Sequence, residues 1–176
     1  MAESPAMTRG VSLLQASLGS AVCIAIVAGA AAIVGQPLIA PPFGATALMC
    51  NVLPGTPSSA PRNVVVGHAL GLLCGFAALA VTGALGMPSA LAGGFRPEHV
   101  LAGALAVGAT VATTEWLGVR HPPAAASTLI VSLGVLQKPT QLVAVACGAA
   151  ALAATAWLVH RLCRVPYPAW APADPG

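Results

Sequence analysis

Apolar residues in this chain do not alternate with polar ones; they run on. From Val11 to Gly35 about 25 residues pass without a charge and without a two-residue period, so the run predicts a helix long enough to span a bilayer, not a strand. Gln36 to Pro42 stays apolar but holds Pro37, Pro41 and Pro42, which fix φ and remove backbone donors, so the helix must break there. Phe43 to Leu53 then resumes for about 11 residues, a helix of about 16 Å and roughly half of a hydrocarbon core. Pro54 to Arg62 is a polar turn-rich loop. Asn63 to Gly86 is long again and carries Gly67, Gly71 and Gly75 at four-residue spacing, a ridge that admits another backbone closely. After a second loop, Met87 to Glu98, the pattern repeats: a span from His99 to Leu117, a proline break at His121-Pro122-Pro123, a short apolar segment to Leu136, the turn Gln137-Lys138-Pro139, and a span from Thr140 to Cys163. The prediction is an all-α membrane protein of six segments, four long spans and two proline-broken half-helices.

The halves also match residue by residue. Pro42-Phe43-Gly44-Ala45-Thr46-Ala47-Leu48 parallels Pro123-Ala124-Ala125-Ala126-Ser127-Thr128-Leu129 at a separation of 81, and Pro61-Arg62-Asn63-Val64-Val65 parallels Pro139-Thr140-Gln141-Leu142-Val143 at 78. Residues 11–86 and 98–163 are therefore read as two repeats within one transmembrane domain, 11–163. If all six segments cross with the N-terminus inside, Arg9, Arg62, Arg120, Arg161 and Arg164 lie on the inner face and only Arg96 and Lys138 on the outer one. That bias follows the positive-inside rule, whereas re-entrant half-helices would leave the charges nearly balanced. An odd number of crossings per repeat makes the repeats inverted. Residues 1–10 and the Pro-rich segment 164–176 are then cytoplasmic tails, and the expected location is a bacterial inner (plasma) membrane. A signal peptide is the competing reading of the first segment, but its apolar run exceeds the ~7–15 residues of such a region.

Composition agrees: 57% of residues are hydrophobic and 6% charged, against roughly 25% charged in a soluble domain. The net charge of +3 is spread singly, with no basic stripe for nucleic acid. Cys23, Cys50, Cys74, Cys147 and Cys163 have no paired or metal-type spacing, which argues against a disulfide framework or a metal site and reads them as small core residues. No nucleotide-binding loop or HExxH pair is present, and the four histidines fall in four segments, so neither an enzyme nor a cofactor is expected. His99 and His160, near loops, are expected to be solvated.

Candidate chemistry gathers at the two proline breaks. A helix restarting after prolines begins with free N–H donors and a partial positive charge, an anion-attracting end where water is scarce. Gly44 and Ala45 leave the backbone approachable behind Phe43; Pro122 and Pro123 set the second start; Thr46, Ser127 and Thr128 supply hydroxyls. His121 adds an imidazole beside the break, and His68, inside the glycine ridge, needs a polar partner in a membrane. Arg62 and Asn63 stand at a pore mouth in this reading, while Glu115 and Arg120 pair with each other. These twelve residues, from Phe43 to Thr128, point to a transporter or channel for a small anion. The alternative is a non-transporting scaffold or sensor subunit that docks through its glycine face. Lipid and a second copy of the chain are the other partners expected.

Pro-Phe-Gly-Ala-Thr-Ala (Pro42 to Ala47), Pro-Arg-Asn-Val-Val-Val-Gly-His (Pro61 to His68) and His-Pro-Pro-Ala (His121 to Ala124), in that order, resemble the HPP family of integral membrane proteins over about Leu13 to Leu158. That family is described with four transmembrane helices and regarded as transporters, some members being implicated in nitrite transport. The resemblance implies a transport role with nitrite as the substrate to test. Ala124-Ala125-Ala126 stands where many members have Ala-Gly-Ala, and Ala60 where Gln is common.

Overall fold

The computed structural model describes residues 11–172. The tail expected over 1–10, with Arg9, and the last residues 173–176 lie outside the described residues. All regular structure among the described residues is helical: α1 Leu13–Val34, α2 Pro42–Val52, a 3-10 turn Pro57–Ser59, α3 Pro61–Val81, the single turn α4 Ala90–Gly93, α5 Pro97–Trp116, α6 Ala124–Ser132 and α7 Pro139–Leu162.

Local chemistry sets these limits. The Ser12 hydroxyl accepts from the Gln15 N–H at 3.1 Å and starts α1. Proline opens α3, α5 and α7, where its missing donor costs nothing. α6 stops at Ser132, short of the expected Leu136. Gly134 sits at φ 76° and the Val135 N–H reaches back to the Ile130 carbonyl at 3.1 Å, a left-handed cap that ends the helix. α3 likewise stops at Val81 instead of Gly86, because Gly83 adopts φ 75° and the Ala84 N–H closes onto Leu79 at 3.0 Å.

Three helices, α1, α3 and α7, are long and apolar enough to cross a membrane. α5 is comparable in length with 20 residues, but Glu98, His99, Thr113, Thr114 and Glu115 at its ends make it more polar than the fourth long span the sequence suggests. Leu13, Leu14, Ile26 and Ile33 on α1, Val100, Leu101 and Leu105 on α5, and Val143 and Leu158 on α7 are exposed, an apolar outer surface suited to lipid chains.

The interior is held by close approach of small residues, as expected where lipid gives helices no hydrophobic reason to associate. A Cβ on Gly67 would meet the His121 Cβ at 2.9 Å, one on Gly71 the Ala124 carbonyl oxygen at 2.6 Å, and one on Gly75 the Thr128 carbonyl oxygen at 2.8 Å. α6 therefore runs beside α3 in the same direction. On the other side, a Cβ on Gly148 would collide with the Leu38 carbonyl, and further along α7 His160 meets the Cys50 carbonyl at 2.9 Å, so α2 runs beside α7 in the same direction. α3 and α7 are antiparallel, since Pro61 and Val65 border the same groove as Ala154 and Trp157. The half-helices consequently point opposite ways. Exchanging α1, α2 and α3 for α5, α6 and α7 also leaves the pattern of touching pairs unchanged: α1 with α2 and α5 with α6, α3 with α6 and α7 with α2, α3 with α5 and α7 with α1.

Two expectations need correction. His99 and His160 are buried, at 0% and 1% exposure, because α5 and α7 turn them inward at their ends. Cys147 and Cys163 are exposed, unlike the buried Cys23 and Cys50, because they lie on outward faces of α7 and its end.

Candidate functional site

α2 begins right after Pro41 and α6 right after Pro123, and both starts are pre-shaped by proline. Their first N–H groups are already occupied. Phe43 and Gly44 donate to Ala40 and Pro41 at 2.9 and 3.2 Å, and Ala124, Ala125 and Ala126 donate to His121, Pro122 and Pro123 at 2.9, 3.1 and 3.1 Å. The helix ends keep their partial positive charge, but the groups with hydrogen-bonding freedom there are side chains.

Those side chains converge. Thr46, one turn into α2, is fully buried and its hydroxyl lies 2.9 Å from His68 Nε2 and 3.1 Å from His121 Nε2. His68 Nδ1 reaches the Ser127 hydroxyl of α6 at 2.7 Å, and His121 Nδ1 reaches the Ser58 carbonyl at 2.8 Å. The two imidazole centroids are 4.9 Å apart, and Phe43 closes the other face of His68 edge-on at 5.2 Å. Thr128, the next residue of α6, forms a separate pair with Thr110 on α5, hydroxyl to hydroxyl at 2.8 Å. Four segments thus meet in one hydrogen-bonded cluster within an otherwise apolar bundle. Gly67 makes this possible: a side chain there would occupy the place of the His121 Cβ.

Proton positions follow from the partners. A carbonyl only accepts, so His121 carries its proton on Nδ1 and donates to Ser58. With the ring neutral, Nε2 accepts from the Thr46 hydroxyl. The Thr46 oxygen then accepts from His68 Nε2–H, which leaves His68 Nδ1 to accept from the Ser127 hydroxyl. The two imidazoles hold opposite tautomers.

The cluster borders a recess of about 270 Å³ lined by Ser58, Thr110, Thr114, Glu115, Arg120 and His121, among others. Glu115 and Arg120 pair there at 2.8 Å, as the sequence suggests; the carboxylate's hydrogen bonds and charge raise the Arg120 pKa further. Arg62 sits at the same end, its side chain 3.5 Å from the Leu117 carbonyl. Asn63 is buried and holds the Pro57 carbonyl at 2.9 Å, so it shapes the loop that presents Ser58. The tail fastens that loop too. The Tyr167 hydroxyl donates to the Ser59 carbonyl, the Trp170 carbonyl accepts from the Arg62 N–H at 2.9 Å, and His160 stacks on Tyr167 at 4.7 Å. Burial pushes the Tyr167 phenol up, so it stays a donor.

Of the residues read from sequence, Phe43, Thr46, His68, His121 and Ser127 share this cluster, Thr128 lies beside it paired with Thr110, and Pro123 is buried. Gly44 and Ala45 are exposed on the outer face of α2, whereas Pro122, also exposed, lines the recess beside His121. Thr110 and the Ser58 carbonyl were not among the candidates. A threonine within an apolar span, one turn before Thr113 and Thr114, is a readable signal; a backbone carbonyl in a loop is not. The Gly67, Gly71 and Gly75 face is covered by α6 of the same chain, so it is not free to dock a partner. Among the described residues no group of three or more His, Cys, Asp or Glu side chains is placed to hold a metal.

The sequence matches the family described as HPP, transmembrane region, over residues 5–168. The chain belongs to the HPP transmembrane family. No curated protein and no solved structure matches it. In this HPP protein the Pro-Phe-Gly-Ala-Thr-Ala, Pro-Arg-Asn and His-Pro-Pro stretches each contribute to one place: Thr46 and Phe43 from the first, Asn63 and His68 from the second, His121 from the third.

Proposed function

We propose that this HPP protein is a permease for a small anion, nitrite being the leading substrate, and that the anion passes the cluster between the starts of α2 and α6. One observation carries the reading: two imidazoles and the hydroxyls of Thr46 and Ser127 converge, buried, where two helix N-termini approach each other. Polar groups inside a membrane are costly and mark substrate or ion paths. The partial positive charge of two helix starts and the presence of two protonatable imidazoles favour a small anion.

The same proposal includes two inverted repeats and both termini at the cytoplasmic side. Opposed half-helices and the exchange pattern of helix contacts support the inversion. Arg62, Arg120, Arg161 and Arg164 gather at one end and Arg96 and Lys138 at the other, which supports the orientation. Alternating access then arises from one repeat rocking against the other around Thr46 and His68.

Purified protein reconstituted in liposomes tests the function. Nitrite, nitrate, formate and chloride fluxes are compared with empty liposomes, and nitrite flux above background is expected. Flux of none of the four ends the permease reading.

A further inference from the structure

The hydrogen bonds around His121 can be rearranged to hold a second proton. In the neutral state every donor has its acceptor, as derived above. When His121 Nε2 takes a proton, that N–H donates to the Thr46 oxygen, which still accepts from His68 and has two lone pairs for the purpose. The Thr46 O–H must then find another acceptor. The Pro42 carbonyl is in place at 3.2 Å. Nδ1–H keeps its bond to Ser58 at 2.8 Å. One hydroxyl rotation therefore converts a fully bonded neutral cluster into a fully bonded cationic one, with no donor stranded in a setting where stranding is costly.

His68 has no such provision. Its protonation would turn Nδ1 into a donor to Ser127, and that hydroxyl would need an acceptor that no described hydrogen bond supplies. His121 also lines the recess that holds Glu115 and Arg120, the side from which its ring comes nearest to solvent. The groups facing it are Thr46 from α2, His68 from α3, Thr110, Thr114 and Glu115 from α5, the adjoining Arg120, and the Ser58 carbonyl. Glu115 and Arg120 cancel each other as an ion pair, so the charge of His121 is left for a ligand to balance.

We propose that the anion crosses together with one proton carried on His121, with the Thr46 hydroxyl as the rotor that lets the ring gain and lose it. Loading forms an N–H bond at Nε2 with a proton from water, and the Thr46 O–H swings to Pro42. Unloading breaks that bond, returns the proton to water on the far side, and the hydroxyl swings back. The anion pairs with the imidazolium, so no net charge moves. This rests on the permease reading.

The test follows nitrite and internal pH together in liposomes containing the full chain, with the membrane potential clamped at zero and empty liposomes subtracted. One proton per nitrite is expected, with uptake rising as the outer pH falls. Thr46→Ser should keep the pH profile. Thr46→Val, which strands the added N–H, should move it about one unit toward acid, the equivalent of a tenfold loss in proton affinity, and His121→Gln should flatten whatever flux remains. Nitrite flux with no proton uptake, or with a profile unchanged in both Thr46→Val and His121→Gln, overturns the coupling and leaves the permease standing. No anion flux in the wild type overturns both. If the two variants fail to fold, the wild-type stoichiometry and the Thr46→Ser profile still decide.

Discussion

Thr46 is the residue on which the cluster turns, because its one oxygen touches both imidazoles while its one hydrogen must choose a partner. The choice dictates the tautomers. ¹⁵N-histidine spectra of the protein in lipid nanodiscs should show His121 protonated on Nδ1 and His68 on Nε2 near neutral pH; identical tautomers would contradict the hydrogen-bond assignment. Tyr167→Phe removes the donor to Ser59 and should cost about 1 kcal/mol, the worth of one hydrogen bond, read as a lower unfolding temperature. At this scale much was legible in the sequence. His68 announces itself as an ionisable group within a glycine ridge, His121 as an imidazole beside two prolines, and Thr46 and Ser127 as hydroxyls at matching positions of two similar stretches. What the residues do not announce is which atoms meet: the Ser58 carbonyl that fixes the His121 tautomer belongs to a loop whose path depends on Asn63, Tyr167 and Trp170.

Among the elements, α3 and α6 form the tightest pair, and glycine sets their distance. Gly71→Ala would place a methyl 2.6 Å from the Ala124 carbonyl oxygen and 2.8 Å from the Thr128 hydroxyl, neither of which moves without opening the cluster. A loss of about 1–3 kcal/mol is expected for such overpacking. Gly29→Ala in α1 meets nothing within 4 Å and should leave the unfolding temperature unchanged or raised, since alanine is the better helix former. Equal losses from the two would refute the packing described. The glycine spacing foretells that α3 has a packing face, yet it does not say whether α6 or another molecule fills it. Proline placement foretells both half-helices and their starts. The end of α2 is legible too, but that of α6 is not, because its left-handed cap depends on one residue, Gly134, and the apolar run continues past it. Gly44 and Ala45 were read as a backbone opening from residue size alone, and the direction they face, outward, is decided by the packing of α2 on α7.

For the whole molecule, the sequence already contains the long, short, long order of helices in each half, and the structure adds that the two half-helices run in opposite directions beside α3 and α7. Burying the polar cluster where those half-helices begin is what ties the architecture to the proposed transport. The cluster therefore carries the central claim, and Thr46→Ala is its most direct probe. In liposomes holding equal amounts of protein, nitrite flux should persist in the wild type and in Gly29→Ala. Thr46→Ala should lower it by about tenfold or more, the rate equivalent of ~1.4 kcal/mol. A Thr46→Ala flux equal to that of the wild type would contradict the account.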